Sequence, residues 1–159
     1  MNELERAMLL SVHPRFANSI LDGTKTVEVR RQRVAVPVGT PVMLYATAPT
    51  MALVGTARVS AVQIATPAEV WSAHHSRTAI SREEFDDYMS GASQASAITL
   101  EAPTRITDPV PLSALRATAD FHPPQSYRYL AGDDLRQMTE TYPAADTALQ
   151  QVLSVSAMA

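Results

Sequence analysis

Cysteine is absent from the sequence, which excludes disulfides, cysteine-ligated zinc, iron–sulfur clusters and thiol catalysis. No run of about eighteen apolar residues occurs, so no membrane-spanning helix is expected. Residues 1–6 are polar and acidic rather than basic and then apolar, so no secretory signal is expected and the cytoplasm is the expected location. Aromatic residues make up only 6% of the chain, and the net charge is −3. A polycation that coats nucleic acid is thereby excluded, although a local basic patch is not. Lysine is nearly missing: of thirteen basic residues, one is a lysine, Lys25. Lysine is a compact ammonium that loses its proton when buried, which arginine does not do. A GC-rich coding bias accounts for the excess of arginine, and a lone lysine against that background is a modest hint of a position that needs an ammonium. What is present is 159 residues with 46% hydrophobic content, enough for one globular domain that buries roughly 70% of its unfolded surface.

The apolar run 8–12 reads as a buried first strand. His13-Pro14 opens a helix whose inner face is Phe16, Ala17, Ile20 and Leu21, closed by Gly23. Residues 24–29 read as a strand with Glu28 and Arg30 on one face. Strands are also expected at 42–46, at 51–64 with a bulge or close approach at Gly55, and at 95–100, the last extended around Arg105-Ile106. Thr66-Pro67-Ala68-Glu69 and Ser81 to Glu84 are helix starts, the second with a capping-box spacing and with Phe85, Tyr88 and Met89 expected to be buried. Residues 111–115 form a helical turn, and 133–142 and 144–155 are expected helices with a frayed end beyond them. Helices interrupt the short strands after the first and between the fourth and fifth. That order predicts an α+β fold, a small barrel of about five or six strands with peripheral helices, rather than a doubly wound parallel sheet. The expected organisation is one domain over 1–159, with a core at about 8–130 and a C-terminal helical extension at about 131–159.

Three segments carry a family resemblance. LLSVHPRFANSILDGTKTVEVRR, from Leu9 to Arg31, contains a G-x-K-x-x-E-x-R signature as Gly23, Lys25, Glu28 and Arg30. VMLYATAPTMALVG runs from Val42 to Gly55, and FHPPQSYRYL from Phe121 to Leu130. Together and in this order they resemble the ASCH domain family of the PUA-like superfamily, in its longer bacterial and archaeal subgroup. The resemblance implies a small β-barrel with a cleft beside its helices. It also implies RNA or a nucleotide-like ligand as the partner, with a part in translation or transcription control. Some compact members hydrolyse N4-acetylcytidine, and others are linked to RNA cleavage. Two positions depart from those patterns: Glu28 stands where the compact hydrolases have Thr, and Met51 where many longer relatives have Lys.

The reading is therefore an RNA- or nucleotide-binding protein that uses a basic cleft. The alternative is a metal-independent hydrolase, either a ribonuclease or an N4-acetylcytidine amidohydrolase, in which Lys25 and Glu28 would be catalytic. The ligand-binding candidates are Ser11, His13, Lys25, Glu28, Arg30, Arg31, Tyr45, Ser126, Tyr127 and Arg128. An ammonium and a guanidinium in one cleft suit a phosphate or a carbonyl, while an ion-pair network that fixes the helix–strand corner is the structural alternative. Arg30, Arg31 and Arg33 form either a phosphate track or a charged edge strand. Tyr45, Tyr127 and Tyr129 offer stacking faces or core rings. His13 reads as a helix cap or a base, and Ser126 as a hydrogen-bond donor. His74-His75 reads as surface and Asp133-Asp134 as helix N-terminal charge. No metal site and no cofactor are expected.

Overall fold

A computed structural model describes residues 6–118, 121–148 and 150 of the chain. Six strands form one curled half-barrel sheet: β1 (Ala7–Val12), β2 (Val27–Arg30), β3 (Pro41–Ala46), β4 (Ala52–Ala65), β5 (Ala95–Pro111) and β6 (Tyr127–Leu130). Their order across the sheet is β2-β5-β4-β3-β1-β6. β1 and β3 are parallel, and every other pairing is antiparallel. The helices are α1 (Pro14–Asp22), α2 (Pro67–His74), α3 (Arg82–Met89), α4 (Leu112–Thr118) and α5 (Gly132–Thr141). This is the expected α+β barrel-like fold. Residues 143–148 are also helical; the rest of the helix expected to 155, residue 150 apart, and the expected frayed end lie outside the described residues.

β1 is buried at all six positions, five of them apolar and the sixth Ser11, as a strand covered on both faces requires. Alternate residues enter different cores. Ala7 and Leu9 pack with Tyr45, Phe121, Leu130, Met138, Ala145 and Ala148. Met8, Leu10 and Val12 pack with Ala17, Ile20 and Leu21 of α1. A third cluster sets Val27 and Val29 of β2 against Val70, Phe85 and Met89 of α2 and α3.

The helix ends follow their sequence signals. His13 Nδ1 accepts from the Arg15 backbone N–H at 3.4 Å, Pro14 occupies the first turn, and Gly23 closes α1 at φ 86°. Thr66–Glu69 and Ser81–Glu84 form complete capping boxes. One expectation is exceeded and one needs correction. β5 extends past Pro103 through Arg105-Ile106, as expected, and continues through Pro109 to Pro111. Register shifts against β4 and a positive φ of 54° at Ala102 absorb the interruption, as β-bulges do. Tyr88, expected on the buried face of its helix, is 41% exposed.

At Gly55, an added Cβ would lie 2.5 Å from Leu21 Cδ2 and 2.7 Å from the Thr104 carbonyl. Only glycine lets β4 approach both α1 and β5 this closely.

Candidate functional site

The edge strand β2 is tied by a side chain to β1 and to Ser126, the residue that precedes the other edge strand, β6. Gly23 ends α1, and the two following residues carry the chain to Lys25 before β2 begins at Val27. The Lys25 ammonium consequently turns inward. It donates to the Thr78 carbonyl at 2.6 Å, lies 3.4 Å from Glu28 Oε1, and sits 4.7 Å from the Phe16 ring centroid. Glu28 Oε2 is 2.8 Å from Arg30 Nη2. Arg30 then crosses the gap between the sheet edges. Nη2 donates to the Ser11 carbonyl at 2.8 Å, and Nη1 donates to Ser126 Oγ at 3.1 Å. Gln32 Nε2 donates to the same hydroxyl at 3.1 Å. Lys25, Glu28 and Arg30 are 2%, 6% and 8% exposed, so this is a buried ion-pair chain. Burial pushes the Lys25 ammonium below its ordinary value, against the opposing pull of Glu28.

Above this chain opens a cavity of about 470 Å³, lined by Phe16, Lys25, Glu28, Val29, Arg30, Ile80, Glu84, Asp87 and Tyr88. Phe16, Ile80 and Tyr88 supply apolar surface. Three carboxylates and two cations supply fixed polar groups. At the N-terminal ends of α1 and α3, Arg15 Nη1 and Nη2 donate to Glu84 Oε2 at 2.6 Å and Oε1 at 3.0 Å. Arg15, together with the Ser81 backbone N–H, holds the Glu84 carboxyl down at about 2.

A profile of the family described as "Domain of unknown function (DUF365)" matches residues 6–115. The "ASCH domain-containing ribonuclease" of Zymomonas mobilis subsp. mobilis is 30% identical over 131 residues, which cover 82% of this chain and 88% of that protein. The chain belongs to the DUF365 family and is an ASCH domain protein. The crystal structure of ASCH from Zymomonas mobilis matches with a TM-score of 0.80 at 27% identity, covering 87% of this chain and 96% of that one. The N-terminal domain of Staphylothermus marinus McrB shares the fold alone, with a TM-score of 0.52 at 10% identity over 88% of this chain and 98% of that one.

The ASCH signature residues Lys25, Glu28 and Arg30 thus meet in one place. The other candidates divide around them. Ser11 and Tyr45 are register partners on β1 and β3, and alternation puts Ser11 on the Leu9 face of β1. Ser126 stands where this face meets Arg30. Among the described residues, Ser11 Oγ and Arg30 Nε are buried without a hydrogen-bond partner. Tyr45 is a core ring 6.3 Å from Phe121, and burial raises its hydroxyl above the ordinary value. Arg128 lies on β6 with its guanidinium 5.7 Å from the Phe121 ring, outside the cavity lining. Tyr127 and Tyr129 stack edge to face and pack on the α1 side of the sheet. Arg31 reaches the Ser90 carbonyl, and its backbone N–H donates to Tyr88 Oη. His13 is the exposed cap of α1, and among the described residues no group of three or more acidic or histidine side chains could hold a metal.

Sequence reasoning missed Phe16, Ile80, Glu84, Asp87 and Tyr88 as pocket walls. The only local signal was the Ser81-to-Glu84 capping box, which fixes where α3 begins and therefore which of its residues face β2. The Thr78 carbonyl carries no sequence signal at all.

Proposed function

We propose that this ASCH protein binds RNA by admitting one unstacked nucleotide into the cavity between α1, β2 and α3. One observation carries this reading: a space of about 470 Å³ combines aromatic walls with a rigid floor of Lys25, Glu28 and Arg30. That volume lies in the range of small-ligand sites, about 300–1,000 Å³. Single-stranded RNA is recognised by splaying bases onto aromatic side chains and hydrogen-bonding their edges. Phe16 and Tyr88 supply the faces. Glu28 and Asp87 accept from exocyclic amino groups, and Lys25 and Arg30 donate toward carbonyls. The name of the Zymomonas mobilis relative supports RNA as the ligand class. A regulatory role in translation or transcription would follow from sequestering an RNA segment.

Fluorescence anisotropy with a labelled single-stranded RNA decamer tests this directly. Three or four phosphate contacts give a log–log salt slope of about −2 to −3. Ile80→Trp, which fills the cavity from its wall, should abolish most of the binding. Unchanged affinity in that variant refutes the pocket.

A second reading, cleavage of the bound RNA, is favoured by the relative's name and by the orphaned Ser11 Oγ and Arg30 Nε beside Ser126. In it Arg30 would stabilise charge on the phosphate, and Lys25 and Glu28 would move protons. Labelled RNA incubated with wild type and Ser126→Ala decides the matter: products formed by wild type alone support cleavage, and intact RNA in both supports binding only. N4-acetylcytidine in the same incubation tests amide hydrolysis.

A further inference from the structure

The cavity's internal cations are engaged with protein partners. Lys25 is held by Thr78 and Glu28, and Arg30 by Glu28, Ser11 and Ser126. The lining also includes Glu84 and Asp87, so a phosphate inside the cavity would face more carboxylates than available ammonium or guanidinium groups. The cation placed differently is Arg15. Its side chain is 52% exposed, and its guanidinium lies 4.9 Å from the ring of Phe16, a cavity wall. Its partner Glu84 is itself a lining residue.

We propose that Arg15 and Glu84 form a latch at the cavity mouth, in which Arg15 leaves Glu84 to bind the phosphate of the nucleotide whose base enters the pocket. This deepens the pocket reading above and rests on it. Two features suit the pair to exchange. Both side chains are exposed, 52% and 42%, so water and a phosphate can take over the bonds that Arg15 gives up to Glu84 and to the Ala79 carbonyl. Arginine also binds carboxylate and phosphate through the same bidentate fork. Glu84 stays in place when Arg15 leaves, because its other oxygen contact is the capping box with Ser81, where Oε1 accepts the Ser81 backbone N–H at 3.0 Å. The latch therefore has one fixed jaw and one mobile one. With Arg15 on Glu84 the binding-competent state is only partly populated, and apparent affinity falls by that fraction.

Two substitutions break the same ion pair yet predict opposite effects. Glu84→Gln keeps the capping box, since glutamine serves at that position, and frees Arg15; decamer affinity should rise about two- to tenfold. Arg15→Gln removes the phosphate contact; affinity should fall, and the log–log salt slope should lose about 0.7. Removing a carboxylate also raises affinity without any latch, but that gain does not need Arg15, whereas the gain from a freed Arg15 does. The experiment is anisotropy with the labelled decamer at several salt concentrations for wild type, Arg15→Gln, Glu84→Gln, the double variant and Ile80→Trp, with a thermal melt of each. Opposite shifts in the two charge variants, with the Glu84→Gln gain lost when Arg15→Gln is also present and Ile80→Trp weakened, support the latch. Parallel shifts, none, or a gain that persists in the double variant, with Ile80→Trp still weakened, overturn the latch and leave the pocket standing. An Ile80→Trp protein that melts as wild type does and binds as well overturns the pocket and the latch with it.

Discussion

Glu28→Gln is the sharpest probe of the buried charge chain. It preserves the shape of the side chain and removes its charge. Two cations, Lys25 at 2% and Arg30 at 8% exposure, would then lose the anion that lies 3.4 Å from one and 2.8 Å from the other. Removing one partner of a buried ion pair costs about 3–5 kcal/mol, because the remaining charge stays desolvated. Here the loss should sit at the low end, about 3 kcal/mol. Lys25 keeps the Thr78 carbonyl, Arg30 keeps the Ser11 carbonyl and Ser126 Oγ, and the glutamine amide oxygen still accepts one bond. For a domain of this length the melting temperature should fall by about 6–12 °C. Urea titrations of wild type, Glu28→Gln, Lys25→Met and the double variant give the coupling, expected at about 1–3 kcal/mol between neighbours in one network.

A pH series adds an independent sign. Burial lowers the Lys25 value below 10.5, so between the folded value and 10.5 the unfolded chain binds more protons than the folded one. Stability then rises with pH across that window. Wild type should gain on Lys25→Met as pH climbs toward 10.5. A Glu28→Gln cost below about 1 kcal/mol at unchanged urea slope would refute the reasoning, since a buried pair cannot lose its anion that cheaply.

Gly55→Ala should destabilise by about 1–3 kcal/mol, an overpacking cost, because its Cβ meets backbone at Thr104 as well as Leu21; a denaturant midpoint equal to wild type counts against this packing. Lys25→Arg should cost a similar 1–3 kcal/mol by overfilling a site built for an ammonium, so its melt must be read before any loss of RNA binding or turnover is assigned to proton transfer. The Arg15–Glu84 contribution should be complete above pH 4.5 and lost as pH falls through about 2, since Glu84 is depressed to that value; an acid titration in which Glu84→Gln and wild type stay parallel over that range removes the interaction.

Much of the fold was legible because local and global signals agree. Gly23 at a left-handed position, Pro14 in a first turn and two capping boxes each mark one helix end by a local mechanism. The mostly apolar run of β1, interrupted by Ser11 alone, could be read as a buried strand. For β5, the pairing around Arg105-Ile106 beyond Pro103 could be read, but its run through Pro109 to Pro111 could not, because proline is a poor strand residue. What keeps the strand going is non-local: β4 shifts register at three places, and Ala102 turns through positive φ to step past Pro103. Neither adjustment leaves a mark in the residues of β5 alone.

The site divides in the same way. The spacing of Lys25, Glu28 and Arg30 could be read, including the bend that brings the lysine over to the face of the other two. Whether those charges are offered to a ligand or used up internally could not, because the answer lies in partners about fifty and a hundred residues away, the Thr78 carbonyl and Ser126 Oγ. Once those bonds are counted, the motif is less a ready cationic surface than the rigid floor of a cavity. The single lysine of the chain then has a physical reason. At a position 2% exposed, beneath the Phe16 ring and against one carbonyl, a compact ammonium fits and a planar guanidinium does not.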